Sequence, residues 1–175
     1  MLTRLVTGAV VAGIAAAAPA AAGADVTVTN TLTFARPDGT TVAFPENVRI
    51  WCGRWDDEVP TRTLHVWFGG RRRAAFWHLQ VVVADVRRDP VVELPHTFVF
   101  DRPTGAQLFA VDGTNELSTD EEEARGRIVF SRVRCGRRLA VRFGMRGRLG
   151  SEFFEGEELT VRGSFSARVR PPRAP

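Results

Sequence analysis

Residues 159–169 read Leu-Thr-Val-Arg-Gly-Ser-Phe-Ser-Ala-Arg-Val. Leu159, Val161, Gly163, Phe165, Ala167 and Val169 share one parity; Thr160, Arg162, Ser164, Ser166 and Arg168 share the other. Side chains alternate faces along a β-strand, so this stretch is a strand with one apolar face and one polar face. A helix would need apolar residues at a period near 3.6, and this segment does not have it.

The same period of two governs most of the chain. Val26, Val28, Asn30, Leu32 and Phe34 alternate with Thr27, Thr29, Thr31 and Thr33, and β-branched Thr suits an exposed strand face. Pro37-Asp38-Gly39 marks a turn. Further strands are expected at 48–55, 61–68, 75–86, 96–100, 107–111, 126–135 and 139–148. No stretch after residue 24 sustains a helical period, and 116–125 reads as an acidic loop. Eight or nine strands joined by short turns, without βαβ spacing, predict an all-β fold. The expected architecture is an antiparallel β-sandwich, with a barrel as the alternative.

The first 24 residues have the composition of a secretory signal. Arg4 is their only charge, an apolar run follows from Leu5 to Ala18, and the segment ends in small residues. Ala22-Gly23-Ala24 before Asp25 fits a cleavage site, as does Ala18-Pro19-Ala20 before Ala21. The apolar run is short, rich in Ala and broken by Pro19, whereas a spanning helix needs ~20 apolar residues. No Cys lies near the cleavage region for lipid attachment, and Leu94-Pro95-His96-Thr97 lacks the Gly a sortase signal requires. The expectation is therefore a signal peptide over 1–24 and one domain over 25–175. A short disordered C-terminal tail is expected to end that domain, and no integral membrane anchor is expected. The predicted localisation is secreted.

The chain contains 24 basic residues, all Arg, and 20 acidic ones. Ala, Arg, Gly and Val abound while Lys and Tyr are absent, the bias of a GC-rich coding sequence. Arg is spread along the sequence among acids, so the high pI by itself does not indicate nucleic-acid binding. Arg71-Arg72-Arg73 is the only basic run and reads as a solvated loop tip.

Two Cys residues in an exported chain suggest a disulfide, Cys52–Cys135. Both thiols fall on the apolar parity of their strands, with Val48 and Ile50 on one side and Val133 on the other. There is no C-x-x-C and no His at ligand spacing, so the pair is expected to be structural, not redox or metal-binding.

The familiar catalytic and cofactor motifs are absent from the sequence. The chain has no G-x-S-x-G, no H-E-x-x-H and no P-loop, and no cofactor is expected. Asp112, Thr114, Glu116, Ser118, Asp120 and Glu123 fall at the spacing of a calcium-binding loop. Leu117, however, stands where that loop needs Gly, so no metal site is assigned.

One surface stands out. If 69–74 is a hairpin loop, Phe68 pairs with Ala75, Trp67 with Phe76 and His65 with His78. Leu64, Val66, Phe68, Trp77, Leu79 and Val81 then form the core face. His65, Trp67, Phe76 and His78 cluster on the other face, since cross-strand neighbours sit ~5 Å apart. Such a patch suits a sugar ring or a partner protein, and paired His can take a metal or separate at acid pH. The plainer alternative is that a loop or the chain termini cover it. The expected function is a secreted, non-catalytic binding or structural module, with a glycan or an extracellular protein as partner. The alternative is a secreted hydrolase acting on polysaccharide or ester substrates.

Overall fold

The computed structural model describes residues 25–44, 47–54, 62–69, 76–96, 105–112, 115–136, 138–151 and 159–170. The predicted signal segment, the Arg71–Arg73 run and the tail lie outside these, as does the expected strand at 96–100 beyond His96.

The described residues form an almost wholly antiparallel β-fold. Its strands are β1 (Asp25–Asn30), β2 (Thr33–Ala35), β3 (Thr41–Ala43), β4 (Val48–Arg54), β5 (Arg62–Phe68) and β6 (Phe76–Val82). A helix α1 (Val83–Arg88) follows. The rest are β7 (Val91–Leu94), β8 (Ala106–Asp112), β9 (Asn115–Ser118), β10 (Arg125–Arg134), β11 (Ala140–Ser151) and β12 (Leu159–Arg170). In one layer β7, β10, β11 and β12 are neighbours, and β12 also takes β1 and the β2–β3 hairpin. In the other the order is β4-β5-β6-β8-β9. The last residues of β11 pair with β9, so one curled sheet supplies both layers.

The two layers enclose the core. Leu64, Val66, Phe68, Trp77, Leu79, Val81, Leu108 and Leu117 are buried on the inner side of the second layer. They meet the aromatic side chains of the first. Phe34 and Phe44 lie 4.7 and 4.5 Å from the Trp77 ring, and Phe165 is 4.9 Å from Phe68. Cys52 on β4 is bonded to Cys135 at the end of β10, with 5.8 Å between Cα atoms, tying one layer to the other. Both cysteines pack against the core, as their parity predicts.

The described residues form twelve strands where the sequence suggests eight or nine. One reason is a break in the N-terminal alternation. Asn30 Oδ1 accepts the Leu32 amide at 3.0 Å, a local turn that competes with the ladder. Opposite the break, Gly163 adopts φ +128°, and a Cβ there would lie 2.3 Å from the Thr31 carbonyl oxygen. Only Gly permits this approach. Leu32 and Phe34 are buried, whereas Val26 and Val28 before the break are exposed.

A second difference is at 75–86, where the expected strand stops at Val82 and α1 begins. Val81, Val82 and Val83 are all buried, so an uninterrupted apolar run here marks burial on every side and not strand continuity. Asp85 in the first turn and Arg87 and Arg88 in the last suit the helix dipole. Arg87 Nε donates to the Val133 carbonyl at 3.2 Å, anchoring α1 to β10. The acidic loop expected at 116–125 begins instead as β9.

Candidate functional site: the outer face of the second layer

Commitment of Leu64, Val66 and Phe68 to the core turns Thr63, His65 and Trp67 to the other side of β5. On β6 the same rule turns out Phe76, His78 and Gln80. The observed register sets Phe68 opposite Trp77, Trp67 opposite His78, and His65 opposite Gln80. This differs from the expected pairing by two residues. A two-residue slip preserves every face, so the predicted grouping of His65, Trp67, Phe76 and His78 stands while their direct partners change. It also places the large Trp77 ring, not Ala75, opposite Phe68 in the core.

The four residues belong to a longer run of rings. Trp51 on β4 lies 4.9 Å from His65 with planes 7° apart, and 5.7 Å from His78. Trp67 and Phe76 stack at 4.4 Å and 11°, Trp67 sits 5.5 Å from His78, and Phe76 contacts Phe109 of β8 at 6.0 Å. Trp51 and Phe109 were not singled out from the sequence. Inward Val48, Ile50 and Cys52 imply by parity that Trp51 points outward, so its direction was legible. Its position beside His65 depends on the β4–β5 register, Trp51 opposite His65.

The two His rings are hydrogen bonded, with His65 Nδ1 and His78 Nε2 3.2 Å apart. One ring donates and the other accepts, so the accepting ring is neutral. His65 is only 6% exposed, walled in by Trp51 and its cross-strand neighbours. Burial lowers its pKa to about 4. The His78 pKa falls to about 3 through burial and, secondarily, the charge of His65. Gly53 opens the far side of His65: a Cβ there would lie 4.0 Å from Nε2.

Beyond the rings the face turns polar. Gln80 and Gln107 are opposite each other on β6 and β8. Gln107 Nε2 donates to Ser118 Oγ at 3.2 Å and to Asp120 Oδ2 at 2.9 Å, and Ser118 Oγ donates to Asp120 Oδ1. This network ties Ser118 and Asp120 to Gln107 of β8. Glu116 and Ser118 lie on β9, and no group of three potential metal ligands converges among the described residues. Gln80 Oε1 and Thr63 Oγ1 are buried without a hydrogen-bond partner, each at a cost of about 1–3 kcal/mol.

The face therefore carries a continuous run of rings, with the largely buried His pair at its centre, Trp51 and the Trp67–Phe76 stack on either side, and a buried Gln border. Trp51 is 38% exposed, and Trp67, Phe76 and His78 are half-buried. No protein-family model, no curated protein and no solved structure matches this chain.

Proposed function

We propose that this protein is a non-catalytic binding module acting outside the cytoplasm, and that it holds its ligand on the outer face of the second layer. The observation that carries this reading is the continuous run of rings from Trp51 through His65 and His78 to Trp67 and Phe76. The rings lie outside the core between the layers, with Trp51 exposed and Trp67, Phe76 and His78 partly so, and soluble proteins seldom leave such groups together without use. Planar rings offer an apolar surface that complements the C–H face of a sugar. The His pair contributes no charge near neutral pH, which suits a neutral or weakly polar ligand. A glycan is the class that fits best, and an extracellular protein presenting a flat aromatic or aliphatic patch is the other. The disulfide is compatible with an oxidising compartment.

Retention of the protein on a panel of immobilised glycans tests the reading. Trp51→Ala and Trp67→Ala are expected to lower retention at least tenfold while leaving a cooperative thermal transition. Retention equal to that of the wild type in both variants would remove the binding role.

A further inference from the structure

The opposite face of the molecule carries a second surface, independent of the ring platform. Along the sequence the arginines look scattered. The register of the first layer gathers them. Arg127 of β10, Arg146 of β11 and Arg162 of β12 stand directly opposite one another in one cross-strand row. Arg132 and Arg142 form another opposed pair. A bulge between Phe130 and Arg132 inserts Ser131, which keeps Phe130 in the core and turns Arg132 outward. Arg168 of β12 lies opposite Thr27 of β1. All six guanidinium-bearing side chains are exposed.

Like charges directly opposite on neighbouring strands are destabilising. Among the described strands of this sheet the acidic positions are Asp25 on β1 and Glu93 on β7; Glu93 closes the first row opposite Arg127, and no acid stands opposite Arg146, Arg162, Arg132 or Arg142. Composition bias accounts for Arg in place of Lys but not for the concentration of Arg on one face. Beside the rows, Thr27, Thr29, Arg132, Arg142, Ser166 and Arg168 line a shallow concavity of about 520 Å³. Guanidinium groups flanked by hydroxyl donors match tetrahedral oxyanions, which accept paired hydrogen bonds from Arg.

We propose that this face binds a linear phosphodiester polymer that lacks bases, such as a poly(polyol phosphate). Rows of Arg cross the sheet at the strand spacing of ~4.8 Å, and their long, flexible stems let the guanidiniums reach phosphates spread along an extended chain. The face has no aromatic side chain at an outward position of β10, β11 or β12, so bases would find no stacking platform there. Among the described residues it is a sheet surface, with no helix projecting to enter a nucleic-acid groove. Charge and hydroxyl contacts are what it offers, and a polymer whose recognition lies in its phosphate backbone uses all of them.

The test measures binding of the full protein to poly(glycerol phosphate), with neutral dextran and duplex DNA as comparators. Binding to poly(glycerol phosphate) is expected at about 50 mM salt and to weaken at least tenfold by about 200 mM. The Arg132→Ser/Arg142→Ser double variant is expected to bind at least tenfold more weakly, while its melting temperature stays equal or rises because the like-charge pair is gone. Arg168→Gln supplies the same binding readout should the double variant fail to fold. Arg138→Ser, on the exposed turn after β10, is expected to bind as the wild type does. No binding to the polymer, undiminished binding by the row variants, or tighter binding to duplex DNA would overturn the proposal.

Discussion

His65 Nδ1 and His78 Nε2 lie 3.2 Å apart on adjacent strands, with the Trp51 ring laid against both imidazoles. Each ring is held neutral by burial, so protonation must either break the shared hydrogen bond or place a cation beneath an indole. The pair therefore links acid sensitivity of the fold to the surface proposed to hold ligand.

Stability should fall as the pH drops below neutrality. An unfolded His takes up a proton near pH 6.5, whereas His65 and His78 in the fold resist it down to about 4 and about 3. Between these limits the unfolded state binds more protons, so lowering the pH favours it. At pH 5 the loss is on the order of 2 kcal/mol per histidine. Denaturant unfolding at pH 7.5 and pH 5 should show it, and His78→Gln should reduce the difference. A wild-type stability that is flat across this range would contradict the neutral, buried pair.

The disulfide should be a large contributor to stability. It closes a separation of 83 residues, for which the chain-entropy relation gives about 4–5 kcal/mol. Cys52→Ala/Cys135→Ala, or the wild type with reductant, should unfold at distinctly lower denaturant concentration. Thiol titration of the denatured, unreduced protein should find none, and two reactive thiols per chain would contradict the bond.

The two faces of β5 and β6 should respond differently to the same truncation. Trp77 is 1% exposed between Phe34 and Phe44, and Trp77→Ala should cost about 3–5 kcal/mol. Trp67 points away from the core and is half-buried against Phe76 and His78, so Trp67→Ala should cost less than about 2 kcal/mol. Equal losses in denaturant unfolding would place Trp67 in the core and remove its parity assignment.

Gly163→Ala tests the seam between β1, β2 and β12. The substitution combines a left-handed backbone, φ +128°, with a Cβ 2.3 Å from the Thr31 oxygen, and should destabilise by at least about 2 kcal/mol. A neutral outcome would mean that β12 runs past Thr31 without the close approach.

Much of this was legible from alternation alone. The parity of residues 62–68 and 76–82 assigns Leu64 to the core and His65 to the outer face whatever the lateral register. The cysteines at 52 and 135 fall on core parities for the same reason. What parity does not convey is alignment between strands. Trp51 beside His65, and Arg127 beside Arg146 and Arg162, depend on pairings between segments distant in sequence, and no local signal specifies those. The break at Thr31 and the start of α1 at Val83 escaped for a different reason. A side-chain turn at Asn30 and a run of three buried valines each override a pattern that otherwise reads as strand.

The central claim is that the ring face of the second layer holds the ligand, and amide mapping addresses it most directly. ¹⁵N–¹H correlation spectra of the uniformly labelled protein, recorded during titration with the best-retained oligosaccharide of the glycan panel, should show shift changes concentrated at residues 49–53, 63–67, 76–80 and 107–111. The indole N–H signals of Trp51 and Trp67 should move with them, while that of Trp77 should not. Changes gathered on β10 to β12, or no changes with any member of the panel, would contradict the account.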